Sequence, residues 1–207
     1  MQIFFEYFNY YKNNIQSYFR VFKQKSLQYI YIQFLLYQSK CKRITTNRLY
    51  EQSMTKSITN HVKNIILDPT HIIDNIYLGN AYNASNANII NKYNIKSIIN
   101  VTSEIPNYYE KDINYFNIEI LDNRENNFNK YQFDNVLKFI DTQNNNILIH
   151  CYMGSSRSAT IVVLYLMYKY NYSLEDAIEY IRNKREIVNI NSNFIKNIQD
   201  YFCINFV

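Results

Sequence analysis

The residues of this chain best suited to covalent chemistry lie in one short stretch, residues 150–158, which reads HCYMGSSRS. Cys151 and Arg157 are separated there by five residues, and Gly154, one of only two glycines in the 207-residue chain, lies between them. A cysteine thiolate is a strong nucleophile, and the planar guanidinium of arginine binds two oxygens of a phosphate group. The spacing therefore predicts a phosphate loop, residues 151–157, that binds a phosphate ester and attacks its phosphorus atom through sulfur.

The segments on either side of this stretch favour a strand–loop–helix unit. Residues 147–150 form a short apolar run that predicts a buried strand, and residues 158–170 are apolar on almost every face, which is typical of a buried helix. A loop between a strand and a helix directs successive backbone N–H groups into one concavity, and the helix N-terminus adds a positive field. Gly154 lets the backbone curl without a clashing Cβ. We expect six residues to bind phosphate here: Tyr152, Met153, Gly154, Ser155, Ser156 and Arg157.

The same positive field is expected to lower the pKa of the Cys151 thiol, since cysteines in such settings have pKa values of about 3.5–7.5 instead of roughly 8.5. Ser158 can donate its hydroxyl to the sulfur and stabilise it as a leaving group, and His150 is expected to brace the loop by hydrogen bonding. The alternative is a buried structural cysteine with an unrelated arginine nearby. The other two cysteines, Cys41 and Cys203, are interpreted as bystanders.

From His71 onward, strand-like and helix-like patterns alternate, which indicates an α/β domain. The helix after Ser173 is predicted to begin at that residue, because a serine hydroxyl can accept hydrogen bonds from the first free N–H groups. The predicted strands are 72–78, 95–101, 115–121 and 147–150, and the predicted helices are 81–93, 131–141, 158–170, 173–182 and 191–202.

The stretch at 150–158 resembles the HCxxGxxR signature, followed by Ser or Thr, of cysteine phosphatases. It is most similar to the dual-specificity branch, whose usual form is HCxAGxSRS; Met153 replaces the common alanine, as in some subfamilies, the slingshot type among them. The segments NIYLGNAYNASN, IKSIINVTSEIPNYY and NKREIVNINSNFIKNIQDY also resemble that family, although Ile190 stands where the family usually has proline. The resemblance covers residues 66–205 and implies a catalytic domain with a central, mostly parallel sheet of about five strands flanked by helices.

The resemblance also implies a general acid. The family has an aspartate just after a strand, some 30 residues before the cysteine, and Asp122 matches that position here. Its role would be to protonate the leaving group and then to activate water, and positioned acids of this kind accelerate reactions about 10²–10⁴-fold. Glu119 and Glu125 are the nearby alternatives.

The loop composition and the resemblance together predict the substrate class. No lysine or arginine precedes Arg157 inside the loop, whereas phosphoinositide-type loops usually carry one, so a singly phosphorylated protein side chain is favoured. We expect hydrolysis of both phosphotyrosine and phosphoserine/threonine, with no metal and no cofactor. The alternatives are a phosphoinositide or RNA 5′-phosphatase on the same fold, or a pseudophosphatase that binds phosphoproteins without turnover.

Residues 1–60 differ in composition from the rest of the chain. They carry nine Lys or Arg and two Asp or Glu, a net charge of +7, whereas the whole chain has +5. We interpret them as a basic, Tyr-rich, helical extension. It could be accessory, dock a kinase or another acidic surface, or lie on an anionic membrane surface without spanning it. Nucleic acid is not expected as a partner, and the cytoplasm is the expected location, with the nucleus as the alternative.

Overall fold

The computed structural model describes residues 67–120 and 127–205. The predicted extension, residues 1–60, lies outside the described residues. Within the part of the chain that the structure describes, no helix has the length and apolar character needed to cross a membrane.

Five strands in the described residues form one mixed sheet with the order β1-β2-β5-β3-β4. They are β1 (Thr70–Ile73), β2 (Ile76–Gly79), β3 (Ile95–Asn100), β4 (Asn114–Asn117) and β5 (Asn146–His150). β1 and β2 pair in antiparallel fashion, and the other three pairings are parallel. The central strand β5 ends at His150 beside Gly79 of β2 and Asn100 of β3. The prediction of a mostly parallel five-stranded sheet is confirmed.

The described helices flank this sheet. They are α1 (Ala81–Ser85), α2 (Ala87–Lys92), α3 (Lys130–Thr142), α4 (Arg157–Tyr170), α5 (Leu174–Lys184) and α6 (Ser192–Asn205). The predicted cap of α5 is confirmed, because the Ser173 hydroxyl accepts a hydrogen bond from the backbone N–H of Asp176 at 3.1 Å. Helices α3 to α6 agree with their predicted ranges to within three residues.

The prediction of one strand over 72–78 was wrong, because that segment is a hairpin. The chain reverses at Asp74, whose φ is 44°, and β1 and β2 pair on either side of it. Aspartate tolerates this left-handed backbone better than most residues. The apolar side chains before and after the turn keep the same alternation and only the exposed Asp74 interrupts it, so the sequence pattern resembles that of one continuous strand. The residues that share the buried face are Ile72, Ile76 and Leu78.

The prediction of one helix over 81–93 was also wrong, since this segment forms the two short helices α1 and α2. Asn86 between them has an extended backbone, with φ −101° and ψ 106°, and its side chain caps α2 by accepting from the N–H of Asn88. Asparagine side chains compete with the helical backbone for hydrogen bonds and therefore favour such caps. The strand predicted over 115–121 is shorter in the structure, where β4 ends at Asn117.

Helix α4 lies at the centre of the domain and contacts α3, α5, α6, β2 and β5. Every residue from Arg157 to Leu166 is buried. In the neighbouring strand, Ile147 and Ile149 pack into the same core as α4, whereas Leu148 belongs to a smaller cluster on the other face of the sheet. Burial of each large aliphatic side chain contributes about 1.5–3 kcal/mol, so both ends of the loop between β5 and α4 are firmly anchored.

Candidate active site

The phosphate loop connects the end of β5 to the start of α4. Cys151 follows the strand directly and is almost fully buried, with 1% of its surface exposed. Its sulfur accepts hydrogen bonds from the backbone N–H of Gly154 and from the hydroxyl of Ser158, each at 3.2 Å. The sequence predicted the contact with Ser158, and the structure brings these two side chains together.

The surroundings of Cys151 lower the pKa of its thiol. Burial acts in the opposite direction, because it disfavours the charged thiolate. The positive charge of Arg157 and hydrogen bonds from Ser158 and from the Ser155 amide outweigh that effect. The thiol is therefore poised to ionise, as a nucleophilic cysteine requires.

Both glycines of the chain occupy positions where an added side chain would collide with neighbouring atoms. Gly154 has φ +70°, and a Cβ added there would lie 2.4 Å from the carbonyl oxygen of Gly79 and 2.8 Å from Nη2 of Arg185. A Cβ on Gly79 would meet Asn83 and Leu148 at 2.8 Å. The phosphate loop can therefore lie against the end of β2 only because residue 154 has no side chain, whereas Gly79 leaves room for Asn83 of α1 and Leu148 of β5 beside β2.

Arg157 is buried at the first turn of α4, where both Glu104 and Ile120 contact its guanidinium. Its Nη1 lies 2.7 Å from Oε1 of Glu104 and donates to the carbonyl oxygen of Ile120 at 2.9 Å. The ion pair joins a side chain that is 4% exposed to one that is 36% exposed, so the carboxylate of Glu104 lies at the edge of the site. We did not predict Glu104 from the sequence, although it belongs to a segment that carries the family resemblance.

A hydrogen-bond network shapes the turn that presents Glu104. Asn100, at the end of β3, donates its side-chain amide to the carbonyl of Ile105 at 2.8 Å and accepts from the hydroxyl of Thr102 at 2.7 Å. That hydroxyl also accepts from the N–H of Ile105 at 3.2 Å. Because all three residues are buried, the turn containing Glu104 is fixed to the strand that lies beside β5.

The two serines of the phosphate loop bind it to the segment formed by residues 187–191. Ser155 donates its hydroxyl to the carbonyl of Ile187 at 2.6 Å, and Ser156 accepts from the N–H of Asn191 at 3.1 Å. The Ser155 carbonyl also accepts from the N–H of Asn189 at 2.9 Å. Residues 187–191 thus support the loop, and both hydroxyls are engaged with the backbone of that segment.

Tyr152 and Met153 are half-buried in the first part of the loop. The Tyr152 carbonyl accepts from the N–H of Ala81 at 3.2 Å, which ties the start of α1 to the loop. His150 is buried and places its Nδ1 3.4 Å from the carbonyl of Cys151. Burial, with a further contribution from the charge of Arg157, lowers the pKa of His150 to about 4. It is therefore neutral near pH 7, which fits a bracing role.

The expected general acid, Asp122, lies outside the described residues, as does Glu125. Glu119, the other alternative, is described and exposed. Ile120 is the last described residue before residues 121–126, and its carbonyl is bound to Arg157. A residue two positions before Asp122 in the sequence is therefore in contact with the phosphate loop.

A second arginine was not predicted from the sequence. Arg185, just after α5, is fully buried and donates from Nε to the carbonyl of Gly154 at 3.0 Å. In the sequence, Arg185 cannot be distinguished from a surface arginine. It lies in the segment NKREIVNINSNFIKNIQDY, and its spacing from the loop does not reveal that the two are in contact. Only the packing of α5 on α4 brings it there.

These features define a class of site in which a strand, a tight loop and a buried helix surround a thiol with N–H groups and a guanidinium. Residues 76–203 match the family model described as dual specificity phosphatase, catalytic domain. This match spans more than half of the chain, and the chain belongs to that family.

Individual relatives agree with this membership. The chain is 35% identical over 136 residues to Protein phosphatase Slingshot of Drosophila melanogaster and 36% identical over 135 residues to Dual specificity protein phosphatase 1 of Arabidopsis thaliana. Each match covers 64% of this chain, but 13% of the fly protein and 68% of the plant protein. The chain therefore spans well under two thirds of the Slingshot relative.

The fold is also similar to a solved structure, that of the human tyrosine phosphatase-like serine/threonine/tyrosine-interacting protein. The TM-score is 0.64 at 25% sequence identity, and the likeness covers 68% of this chain and 99% of the human chain. The predicted fold and family are thus confirmed. The boundaries of 66–205 for the catalytic domain and 1–60 for the extension stay predictions.

Proposed function

We propose that this protein hydrolyses phosphate monoesters on phosphotyrosine and phosphoserine/threonine of proteins through a phosphocysteine intermediate. The observation that carries the proposal is the sulfur of Cys151, which accepts from Gly154 and Ser158 beside the charge of Arg157. These donors stabilise the thiolate form of Cys151. The thiolate is a nucleophile, and it lies beside the backbone N–H groups of a loop that can bind phosphate.

In the first step, the thiolate of Cys151 forms a bond to phosphorus while the bond from phosphorus to the side-chain oxygen of the substrate breaks. We assign to Asp122 the role of general acid, which donates a proton to this leaving oxygen. The backbone N–H groups of the phosphate loop and the guanidinium of Arg157 stabilise the charge on the phosphoryl oxygens.

In the second step, water attacks the phosphocysteine. Asp122, now a carboxylate, accepts a proton from that water as the sulfur–phosphorus bond breaks and inorganic phosphate forms. The sulfur leaves as a thiolate, which the hydroxyl of Ser158 stabilises by hydrogen bonding. His150 stays neutral and braces the loop through the carbonyl of Cys151.

The preference for a single phosphate is supported by the loop itself. The hydroxyls of Ser155 and Ser156 are engaged with residues 187–191, so the loop offers its backbone N–H groups and Arg157 to the ligand. The exposed part of Glu104, beside Arg157, adds negative charge at the edge of the site and disfavours a second phosphate there.

The test compares paired phosphotyrosine and phosphothreonine peptides with phosphoinositides and with RNA carrying a 5′-phosphate, using the full chain. We expect turnover of both peptides, inhibition by vanadate, no effect of EDTA, and trapping of phosphate on Cys151 after acid quench. Faster turnover of a lipid or RNA phosphate would overturn the substrate class. Tight binding of the peptides without turnover would instead identify a pseudophosphatase.

We propose that the extension, residues 1–60, contributes to the selection of binding partners and takes no part in the chemical steps of hydrolysis. Its excess of basic residues is suited to a kinase or another acidic protein surface, and an anionic membrane surface is the alternative. Removal of residues 1–60 should leave turnover of a small aryl phosphate unchanged and weaken binding to an acidic protein substrate. Equal binding of the acidic substrate by the full chain and by the shortened chain would indicate that residues 1–60 are only accessory.

A further inference from the structure

The buried side chain of Arg185 contacts the phosphate loop from the side opposite Cys151. It is fully buried, and it donates from Nε to the carbonyl of Gly154 at 3.0 Å and from Nη2 to the carbonyl of Met153 at 3.4 Å. A third contact joins Nη1 to the hydroxyl of Thr70 on β1 at 3.1 Å. One guanidinium therefore links the loop to the edge of the sheet.

The two carbonyls that Arg185 binds belong to the same peptide groups whose N–H groups serve the sulfur. The peptide after Met153 has its carbonyl on Arg185 and its N–H, that of Gly154, 3.2 Å from the sulfur of Cys151. The peptide after Gly154 has its carbonyl 3.0 Å from Nε of Arg185, and its N–H, that of Ser155, adds to the lowering of the pKa of the Cys151 thiol.

Peptide geometry makes these contacts interdependent. A peptide group is planar, and in its trans form the C=O and N–H bonds point in opposite directions. The described residues contain no cis peptide bond. When a guanidinium holds both carbonyls on one side of the loop, both N–H groups must therefore point to the other side, where the sulfur lies.

We propose that Arg185 is a positioning residue that fixes the Gly154 and Ser155 amides toward Cys151 and the bound phosphoryl group. The inference rests on the proposed function, since it concerns the same loop. Without the planar fork of Arg185, either peptide could rotate and present a carbonyl oxygen to the anion, which would repel it. The glycine at 154 gives the loop that freedom to rotate, and Arg185 removes it.

The first experiment uses Arg185→Lys in the full chain, because lysine keeps the charge but lacks the planar fork that reaches both carbonyls. The rate of Cys151 carboxymethylation by iodoacetate is followed by mass spectrometry from pH 5 to 9, with and without inorganic phosphate. Below the wild-type midpoint, we expect the rate to fall about tenfold, which corresponds to the loss of roughly one charge-assisted hydrogen bond to the loop. Protection by phosphate should weaken by a similar factor.

The control is Lys184→Arg, the reverse exchange of the two cations at the exposed residue next to Arg185. It should leave both the alkylation profile and the phosphate protection unchanged. A folded Arg185→Lys variant with wild-type alkylation and protection would overturn the positioning role.

If Arg185→Lys does not fold, Thr70→Val decides the question, because it retains Arg185 and removes the hydroxyl that anchors its Nη1. We expect a twofold to threefold fall in alkylation rate at the same pH, and an unchanged profile overturns the proposal. If Cys151 of the wild-type protein were alkylated like an ordinary thiol and were not protected by phosphate, the proposed function would be refuted instead. Failure of the positioning role and failure of the proposed function are therefore distinguishable.

Discussion

At the scale of single residues, the chemistry depends on one sulfur atom and the groups that favour its negative charge. Cys151 is buried, which by itself would raise the pKa of its thiol, yet its neighbours reverse that effect. Arg157 contributes positive charge. Ser158 contributes a hydroxyl donor that can stabilise the Cys151 thiolate both when it attacks phosphorus in the first step and when it leaves in the second. Each of these contributions can be removed separately.

Ser158→Ala should weaken the thiolate and slow the second chemical step. Loss of a hydrogen bond to a charged group is worth about 1.5–3 kcal/mol, so alkylation of Cys151 below its midpoint should slow at least about tenfold. In rapid-quench kinetics, the variant should show a burst of released product followed by slow hydrolysis of phosphocysteine. Ser85→Ala, a remote serine bonded to the carbonyl of Tyr82, is the control. Equal alkylation rates in Ser158→Ala and wild type would remove Ser158 from the mechanism.

Asp122→Asn tests the assignment of the general acid. The amide cannot donate a carboxylic proton, so turnover of a phosphothreonine peptide should fall at least about tenfold, and an aryl phosphate with a good leaving group should be less affected. The measurement is kcat for both substrates across pH 5 to 8. Glu119→Gln is the matched control at an exposed position nearby. An effect confined to Glu119→Gln would move the role to that residue.

At the scale of elements, the site depends on how the phosphate loop fits between its neighbours. The end of β2 approaches it at Gly79, α1 binds the carbonyl of Tyr152, and residues 187–191 hold the two serines. The turn after β3 supplies Glu104 to Arg157. The loop is therefore supported by three stretches that are distant from one another in the sequence: residues 79–81, the turn that carries Glu104, and residues 187–191.

Gly154→Ala should damage both the loop and the activity. The left-handed backbone alone would cost about 1–2 kcal/mol with a Cβ present, and the contact of 2.4 Å with the Gly79 carbonyl forces the loop to move. A displacement of about 1 Å at a reacting group can reduce turnover on the order of a hundredfold. The measurements are kcat and the free energy of unfolding in urea.

Asn171→Ala separates backbone strain from the clash. Asn171 also has a positive φ, 55°, but it is exposed at the end of α4. We expect a loss of about 1 kcal/mol in stability and no change in kcat. If Gly154→Ala behaved in the same way, the close contact with β2 would not matter for catalysis.

At the scale of the whole molecule, stability should depend on pH through His150. The pKa of this buried residue is about 4 in the folded protein, against about 6.5 in an unfolded chain. Between these values the unfolded chain binds the extra proton, so folding loses stability as the pH falls from about 6.5 toward 4. Above about pH 6.5 the contribution of His150 is fully present.

The expected change is a loss of about 2 kcal/mol in the free energy of unfolding between pH 7 and pH 5, measured in urea at each pH. His150→Asn should remove most of this dependence, whereas His71→Gln, a change at an exposed histidine, should keep it. A titration midpoint of His150 near 6.5, followed by NMR in the folded protein, would contradict the argument.

The amino-acid sequence was sufficient to predict the local features of the fold and of the site. The apolar run of β5, the all-round apolar helix α4 and the spacing of Cys151, Gly154 and Arg157 are contiguous in the chain, and local patterns reveal contiguous features. The resemblance to a known family added the overall sheet. The hairpin at Asp74 and the break at Asn86 were missed because a short turn or cap leaves the apolar pattern almost unchanged.

The groups that complete the site from distant parts of the chain could be found only in the folded molecule. Glu104 and Arg185 lie 53 and 31 residues from the atoms they bind, and no pattern along the chain links such positions. Their partners are set by the order of strands in the sheet and by the packing of α5 against α4, which bring the ends of separate elements to one place. The physical reason is that side-chain periodicity records which face of an element is buried, whereas contacts between elements depend on how those faces are assembled.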